Sequence, residues 1–201
     1  DTLYLSVPFT WLLDDARKIA EKHKGRVVAG GPAVKLMGAS WAETPGECQF
    51  DTLAMHNPCA TYTTRGCPNK CPFCAVPKIE GGFVELQTWK HAPMVCDNNL
   101  LAASHAHFAK VIESLKPFPA CDFNQGLDAR LFTKWHADLL ADLHAPIIRF
   151  SLDYTGEERH VALAVETCCE AGLPASDIRI NVLIGFNDAP EVPQDAARRQ
   201  A

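Results

Sequence analysis

The 201-residue sequence has no run of apolar residues long enough to span a bilayer, which excludes a transmembrane helix within it. It has no signal-peptide pattern ahead of its cysteines. Basic charge is scarce and dispersed: 19 Lys and Arg stand against 24 Asp and Glu, for a net charge of −5 and a pI near 5.9. The general electrostatic footprint of a nucleic-acid binder is therefore missing, which makes such a partner unfavoured without excluding it. Phosphate-binding fingerprints are missing too, since Gly30-Gly31-Pro32 lacks the spacing of a P-loop or dinucleotide turn and reads as a tight turn. No catalytic triad or carboxylate pair can be read. The nine cysteines are too unevenly spread for a disulfide scaffold, so the chain reads as one from a reducing, cytoplasmic compartment. At 47% hydrophobic residues it can bury the core of one domain and a small appendage.

What the sequence does have is Cys67, Cys71 and Cys74 in the run TRGCPNKCPFC, separated by three residues and then two. Three thiolates on one tight loop can hold three irons of a [4Fe-4S] cube and leave the fourth iron without a protein ligand. A structural zinc site wants four closed ligands, and only scattered candidates such as His56, Cys59 or Cys96 could supply the fourth. The regular four-cysteine runs of electron-transfer ferredoxins are absent. Pro68, Asn69, Lys70 and Pro72 make the loop polar and turn-forming, unlike a stripe of buried thiols.

The octapeptide CPNKCPFC, with Phe73 just before its third cysteine, resembles the cluster loop of the radical S-adenosylmethionine (SAM) superfamily, and the likeness extends over about Cys59 to Glu191. The resemblance implies that the open iron chelates the amino and carboxylate groups of SAM. One electron, from a flavodoxin or ferredoxin, then cleaves SAM to methionine and a 5′-deoxyadenosyl radical that abstracts hydrogen from a substrate. It also implies an α/β fold, a partial (β/α) barrel of six strands. Only five strands can be read here, so the barrel is expected to be truncated before its last strand and the chain to be a piece of a longer protein. Residues 1–39 resemble the last part of the cobalamin-binding-like module that precedes many such barrels. The Asp-x-His-x-x-Gly motif that supplies its cobalt ligand is absent, so cobalamin is not expected.

The coarse reading gives a small βαβ unit over 1–39, a connector over 40–57 and the partial barrel over 58–201. The first unit is a strand from Thr2 to Val7, a helix capped by Thr10 and running to Lys24 with Gly25 as its stop, and a strand from Arg26 to Ala29. Strands follow at Ala60–Thr64, Pro93–Cys96, Ala120–Gln125, Ile147–Asp153 and Ile178–Phe186. Helices lie between them at about Leu100–Leu115, Lys134–Leu143 and Gly156–Ala171. Repeated βα units make a parallel sheet, whose working end is the C-terminal edge of its strands.

Those strand ends are polar. They carry Asp97, Asn98 and Asn99, then Asn124 and Gln125 with Asp128 and Arg130 beyond, then Arg149, Ser151 and Asp153, and finally Asn181 and Gly185. On the fourth strand Ile148, Phe150 and Leu152 alternate with Arg149, Ser151 and Asp153, one face for helices and one for a site. By the resemblance, Asp97 or its neighbours Asn98 and Asn99 take the methionine amine, in place of the usual Gly-Gly-Glu-type motif. Gln125, Arg149, Ser151 and Asp153 take ribose and carboxylate, the fifth-strand end Leu183-Ile184-Gly185-Phe186 resembles the stretch that packs on adenine, to whose edge Phe73 offers backbone, and Asn181 on the same strand is a further cofactor-binding candidate. An internal ion pair of Arg149 with Asp153 is the structural alternative at that strand.

Other residues read as packing. Cys96 is a buried thiol, Cys168 and Cys169 sit in a helix, and Cys48, Cys59 and Cys121 fall outside the working end. His105 and His107, two apart on a helix, cannot share a metal on one face. Two other functions stay open: a methylthiotransferase or methyltransferase branch acting on RNA or protein, and a non-catalytic iron-sulfur or zinc-binding module.

Overall fold

The structure, a computed structural model, describes residues 1–45 and 52–184. It opens with β1 (Thr2–Ser6), a 3-10 turn at Thr10–Leu12, α1 (Leu13–Lys22), β2 (Arg26–Gly30) and α2 (Pro32–Met37). The two strands pair in parallel, from Thr2 opposite Arg26 to Ser6 opposite Gly30. Asp14 and Asp15 stand in the first turn of α1 and Lys22 in its last, matching the helix dipole, while Ala16 and Ala20 form the buried stripe. Thr10 does not cap the helix; it lies inside the 3-10 turn, which has no side-chain cap. The Gly-Gly-Pro turn proves to be a helix start. Gly31 adopts φ +95°, and a Cβ there would lie 2.7 Å from the Val7 carbonyl oxygen, so only glycine fits before Pro32 at the first helical position. The unit has a core of its own, with Val7, Ala16, Ala29, Ala33 and Val34 packed by Trp41 and Ala42. Its pairing runs past residue 39, because Glu43 bonds both Val27 and Ala29 of β2.

Beyond the short α3 (Thr52–His56) come β3 (Ala60–Thr61), β4 (Thr64–Arg65), α4 (Val76–Ile79) and β5 (Val84–Glu85). Then come β6 (Met94–Val95), α5 (His105–Leu115), β7 (Cys121–Phe123), α6 (Lys134–Ala141), β8 (Pro146–Leu152), α7 (Glu158–Glu170) and β9 (Ile178–Val182), with 3-10 turns at Leu100–Ala102, Thr155–Glu157 and Ala175–Asp177. Strands β3, β6, β7, β8 and β9 form one parallel sheet in that order. Spatial order equals chain order. A doubly wound sheet reverses direction partway; here every step goes the same way, and right-handed crossovers then set α5, α6 and α7 on one face. The protein is thus mixed α/β, with a five-stranded parallel sheet flanked by helices.

The main core fills the space between that face and the helices. Strand residues Val95, Phe123, Ile148, Phe150 and Leu152 meet Phe108, Val111, Ile112 and Leu115 of α5, Leu140 of α6, and Val161, Ala164 and Cys168 of α7. Strand β8 alternates strictly between buried and half-buried positions, so Arg149 and Ser151 face away from α5, α6 and α7.

Three differences from the sequence reading have local causes. The strand predicted over Ala60–Thr64 breaks after Thr61, and Thr64–Arg65 turns to pair antiparallel with Val84–Glu85, which makes the cysteine loop an excursion from a two-stranded neck. Helix α5 starts at His105, not Leu100, because the Ser104 hydroxyl accepts the His107 amide at 3.2 Å as its N-cap. The fifth strand closes at Val182, with Leu183 and Ile184 beyond it, and the predicted strand's last two residues, 185 and 186, lie outside the described residues.

Candidate functional site

The neck of the cysteine loop is held by carboxylates. The Asp97 Oδ1 accepts the Thr63 amide at 2.6 Å and the Thr64 amide at 2.9 Å, and its Oδ2 accepts the Thr63 hydroxyl. Two residues on, the Gly66 amide donates to Glu80 Oε2 at 2.8 Å, and Arg65 pairs with Glu80 Oε1 at 2.9 Å while lying over the Tyr62 ring. Gly66 has φ +71°, and a Cβ there would stand 2.2 Å from the Gly82 carbonyl oxygen. The chain can enter the loop by this route only with glycine at 66.

Beyond the neck, Cys67, Cys71 and Cys74 line one cavity of about 230 Å³ at the C-terminal edge of the sheet. More of its lining comes from the ends of three strands: Asn98 and Asn99 after β6, Gln125, Gly126, Asp128 and Arg130 after β7, and Ser151, Asp153 and Glu157 from β8 onward. Gly126 has φ +95°, and a Cβ would fall 2.8 Å from Ser151 Oγ, so the backbone is brought close to that wall.

The wall is cross-linked. The Asn98 Nδ2 donates to Glu80 at 2.9 Å. Asn99, 3% exposed, donates from Nδ2 to Asp128 at 3.3 Å and to Cys67 Sγ at 3.6 Å, while its Oδ1 has no partner among the described residues. Asp128 also accepts Asn69 at 3.0 Å and a bidentate Arg130 at 2.7 and 2.8 Å. The far side of Arg130 faces Glu157 at 3.3 Å, and Glu157 accepts the Asp153 amide.

Of the residues predicted from sequence, the three cysteines, Phe73, Asn98, Asn99, Gln125, Ser151 and Asp153 meet in this cavity. Asp97 does not line it; its oxygens are taken by Thr63 and Thr64. Arg149 pairs with Asp122 of the neighbouring strand, not with Asp153, because both project from the same sheet face in adjacent register. Asn181 sits at the margin, its Nδ2 3.6 Å from where a Gly126 Cβ would be. Gly185 lies outside the described residues, as does Cys48. Cys96 is buried with Asn124 beside its sulfur, and Cys168 is buried in the core. His105 stacks on Trp135 and His107 packs under Trp89, on opposite sides of α5. The cavity adds Asn69, Gly126, Asp128, Arg130 and Glu157 to the candidates.

Titration reflects the crowding. Burial pushes the Cys71 thiol above its ordinary value, against the pull of Arg130, with Cys74, Asp153 and Cys67 adding to the rise. Burial and the Glu157 charge push Asp153 up, with Arg130 opposing. Burial works against the Asp128 carboxylate too, yet its bonds from Arg130 and Asn69 outweigh it and hold the group below the usual range. Binding of a metal at Cys71 would release its thiol proton.

The donor set fits an iron-sulfur cluster with a small ligand beside it: three thiols lining one cavity, a buried amide oxygen without a partner among the described residues, and a backbone cradle at Gly126. Among the described residues no three His, Cys, Asp or Glu side chains are grouped to hold a single metal ion. That bears on one ion, not on a cluster whose ligands each take a separate iron. No helix of the described residues is long and apolar enough to cross a membrane. No protein-family model matches the sequence, and no curated protein matches it either.

Proposed function

We propose that the protein is a radical SAM enzyme, its five-stranded sheet part of a partial (β/α) barrel, with a [4Fe-4S] cluster held by Cys67, Cys71 and Cys74 and SAM bound at the open iron. The supporting observation is convergence: three thiols spaced for a cluster and polar residues from three successive strand ends share one cavity. When bound, the cluster supplies one electron that cleaves SAM to methionine and a 5′-deoxyadenosyl radical, which takes a hydrogen atom from the substrate. The electron comes from a flavodoxin or ferredoxin in the cytoplasm.

The chain's own residues bind and orient. The unpaired Asn99 Oδ1 is the acceptor for the methionine ammonium, a role that Asp97 leaves to it. Asp153 and Ser151 offer an acceptor and a hydroxyl for the ribose, and Gly126 lets the ligand approach backbone. Arg130, fixed between Asp128 and Glu157, keeps those carboxylates from repelling each other across the cavity.

Anaerobic reconstitution with iron and sulfide, followed by SAM and dithionite, tests the reading. It predicts near four irons per chain and release of 5′-deoxyadenosine. A reconstituted chain that releases none, or one that retains zinc in place of iron, would overturn it.

A further inference from the structure

The three consecutive residues after β6 each grip the cysteine loop at a different depth. Asp97 takes the Thr63 and Thr64 amides, Asn98 is tied through Glu80 to the Gly66 amide, and Asn99 reaches Cys67 itself. The first two grips fix the backbone just before and just after β4, so the third is delivered with a defined geometry. The Asn99 amide has only one workable orientation. Its Nδ2 faces the Asp128 carboxylate at 3.3 Å, where an oxygen would be repelled, and the second N–H is left pointing at the Cys67 sulfur at 3.6 Å. Asp128 is itself anchored by Asn69 and Arg130, so the amide cannot swing away with it.

On this basis, and resting on the cluster proposed above, we propose that Asn99 is a positioning residue that sets the cluster's reduction potential through an N–H···S hydrogen bond to Cys67. Reduction adds one electron, from dithionite or the protein donor, to the cluster and makes its thiolate sulfurs more negative. A donor aimed at one of those sulfurs stabilises the reduced state more than the oxidised state and raises the potential. Asn99 is 3% exposed, so water cannot take over the vacated bond readily.

The test is a redox titration followed by electron paramagnetic resonance on the reconstituted full chain, comparing wild type with Asn99→Ala and Asn99→Asp. The expected result is a more negative potential for Asn99→Ala, by about a tenfold fall in the equilibrium constant for reduction, which is 59 mV for one electron. Asn99→Asp keeps the shape but replaces the donor by an acceptor, and its potential should fall at least as far. An unchanged or more positive potential in either variant overturns the proposal. A second measurement needs no variant: wild type labelled with ¹⁵N-asparagine should show nitrogen coupling to the reduced cluster in pulsed resonance, and absence of that coupling also overturns it. A wild-type chain that takes up no cluster removes the premise and the inference together, which separates failure of the cluster reading from failure of the role given to Asn99.

Discussion

Replacing Asp97 separates a residue that holds the loop from one that fills the cavity. Thr63 and Thr64 are both fully buried, and their amides have the Asp97 Oδ1 as acceptor. In Asp97→Ala both amides lose that partner where water cannot replace it. The Thr63 hydroxyl fares better, since it can turn to the His107 ring nitrogen at 3.3 Å. Two orphaned amides at about 1–3 kcal/mol each give a loss of about 2–6 kcal/mol. Asp97→Asn keeps one oxygen for the two amides and sheds the cost of burying a charge, so its loss should be about 1 kcal/mol. Urea unfolding followed by far-ultraviolet circular dichroism reads the difference as two displaced midpoints, the alanine variant far lower than the asparagine one. Equal losses, or an alanine variant within about 0.5 kcal/mol of wild type, would refute the view that this carboxylate holds the neck.

Gly66→Ala forces a side chain into φ +71° with its Cβ 2.2 Å from the Gly82 carbonyl oxygen, and should cost about 2 kcal/mol or more together with most of the iron uptake on reconstitution. His136 is 4% exposed, and burial, helped by nearby His105, lowers its pKa to about 4 from an ordinary 6.5. Its neutral form therefore contributes stability that is present above pH 6.5 and lost as the pH falls through 4, on the order of 2 kcal/mol after allowing for partial screening. Thermal melts across that range should show the slope, and His136→Gln, which keeps an acceptor for the Thr133 amide but does not titrate, should flatten it. Single alanine variants of Cys67, Cys71 and Cys74 should each abolish a stable cluster by iron and sulfide content, while Cys59→Ala and Cys169→Ala, at exposed thiols, should leave it intact. Loss of metal in Cys59→Ala would favour a closed four-ligand site instead.

Much of the sheet was legible because its signals are local. Strand β8 alternates over seven residues, and the same period that marks it as a strand also assigns Arg149 and Ser151 to the face opposite α5, α6 and α7. The polar strand ends were equally readable, and Asn98, Asn99, Gln125, Ser151 and Asp153 do meet the three cysteines. What escaped depends on distant partners. The β4–β5 pair is two residues long on each side, too short for any period, and it exists because Asp97 bends the chain at Thr63. Glu80 and Glu157 lie outside the sheet strands, so nothing in their neighbourhood marks them, yet one closes the loop's neck and the other flanks Arg130. Arg149 with Asp153 looked a natural pair in sequence, but parallel register puts Asp122 nearer. The start of α5 moves from Leu100 to His105 because the Ser104 hydroxyl, which no periodic run marks, caps the His107 amide.

The central claim is an iron left open for SAM, and it is tested most directly by electron paramagnetic resonance of the anaerobically reconstituted, dithionite-reduced chain with and without SAM. The account predicts a [4Fe-4S] signal whose g-values shift when SAM is added, and a cluster signal indifferent to SAM would contradict it.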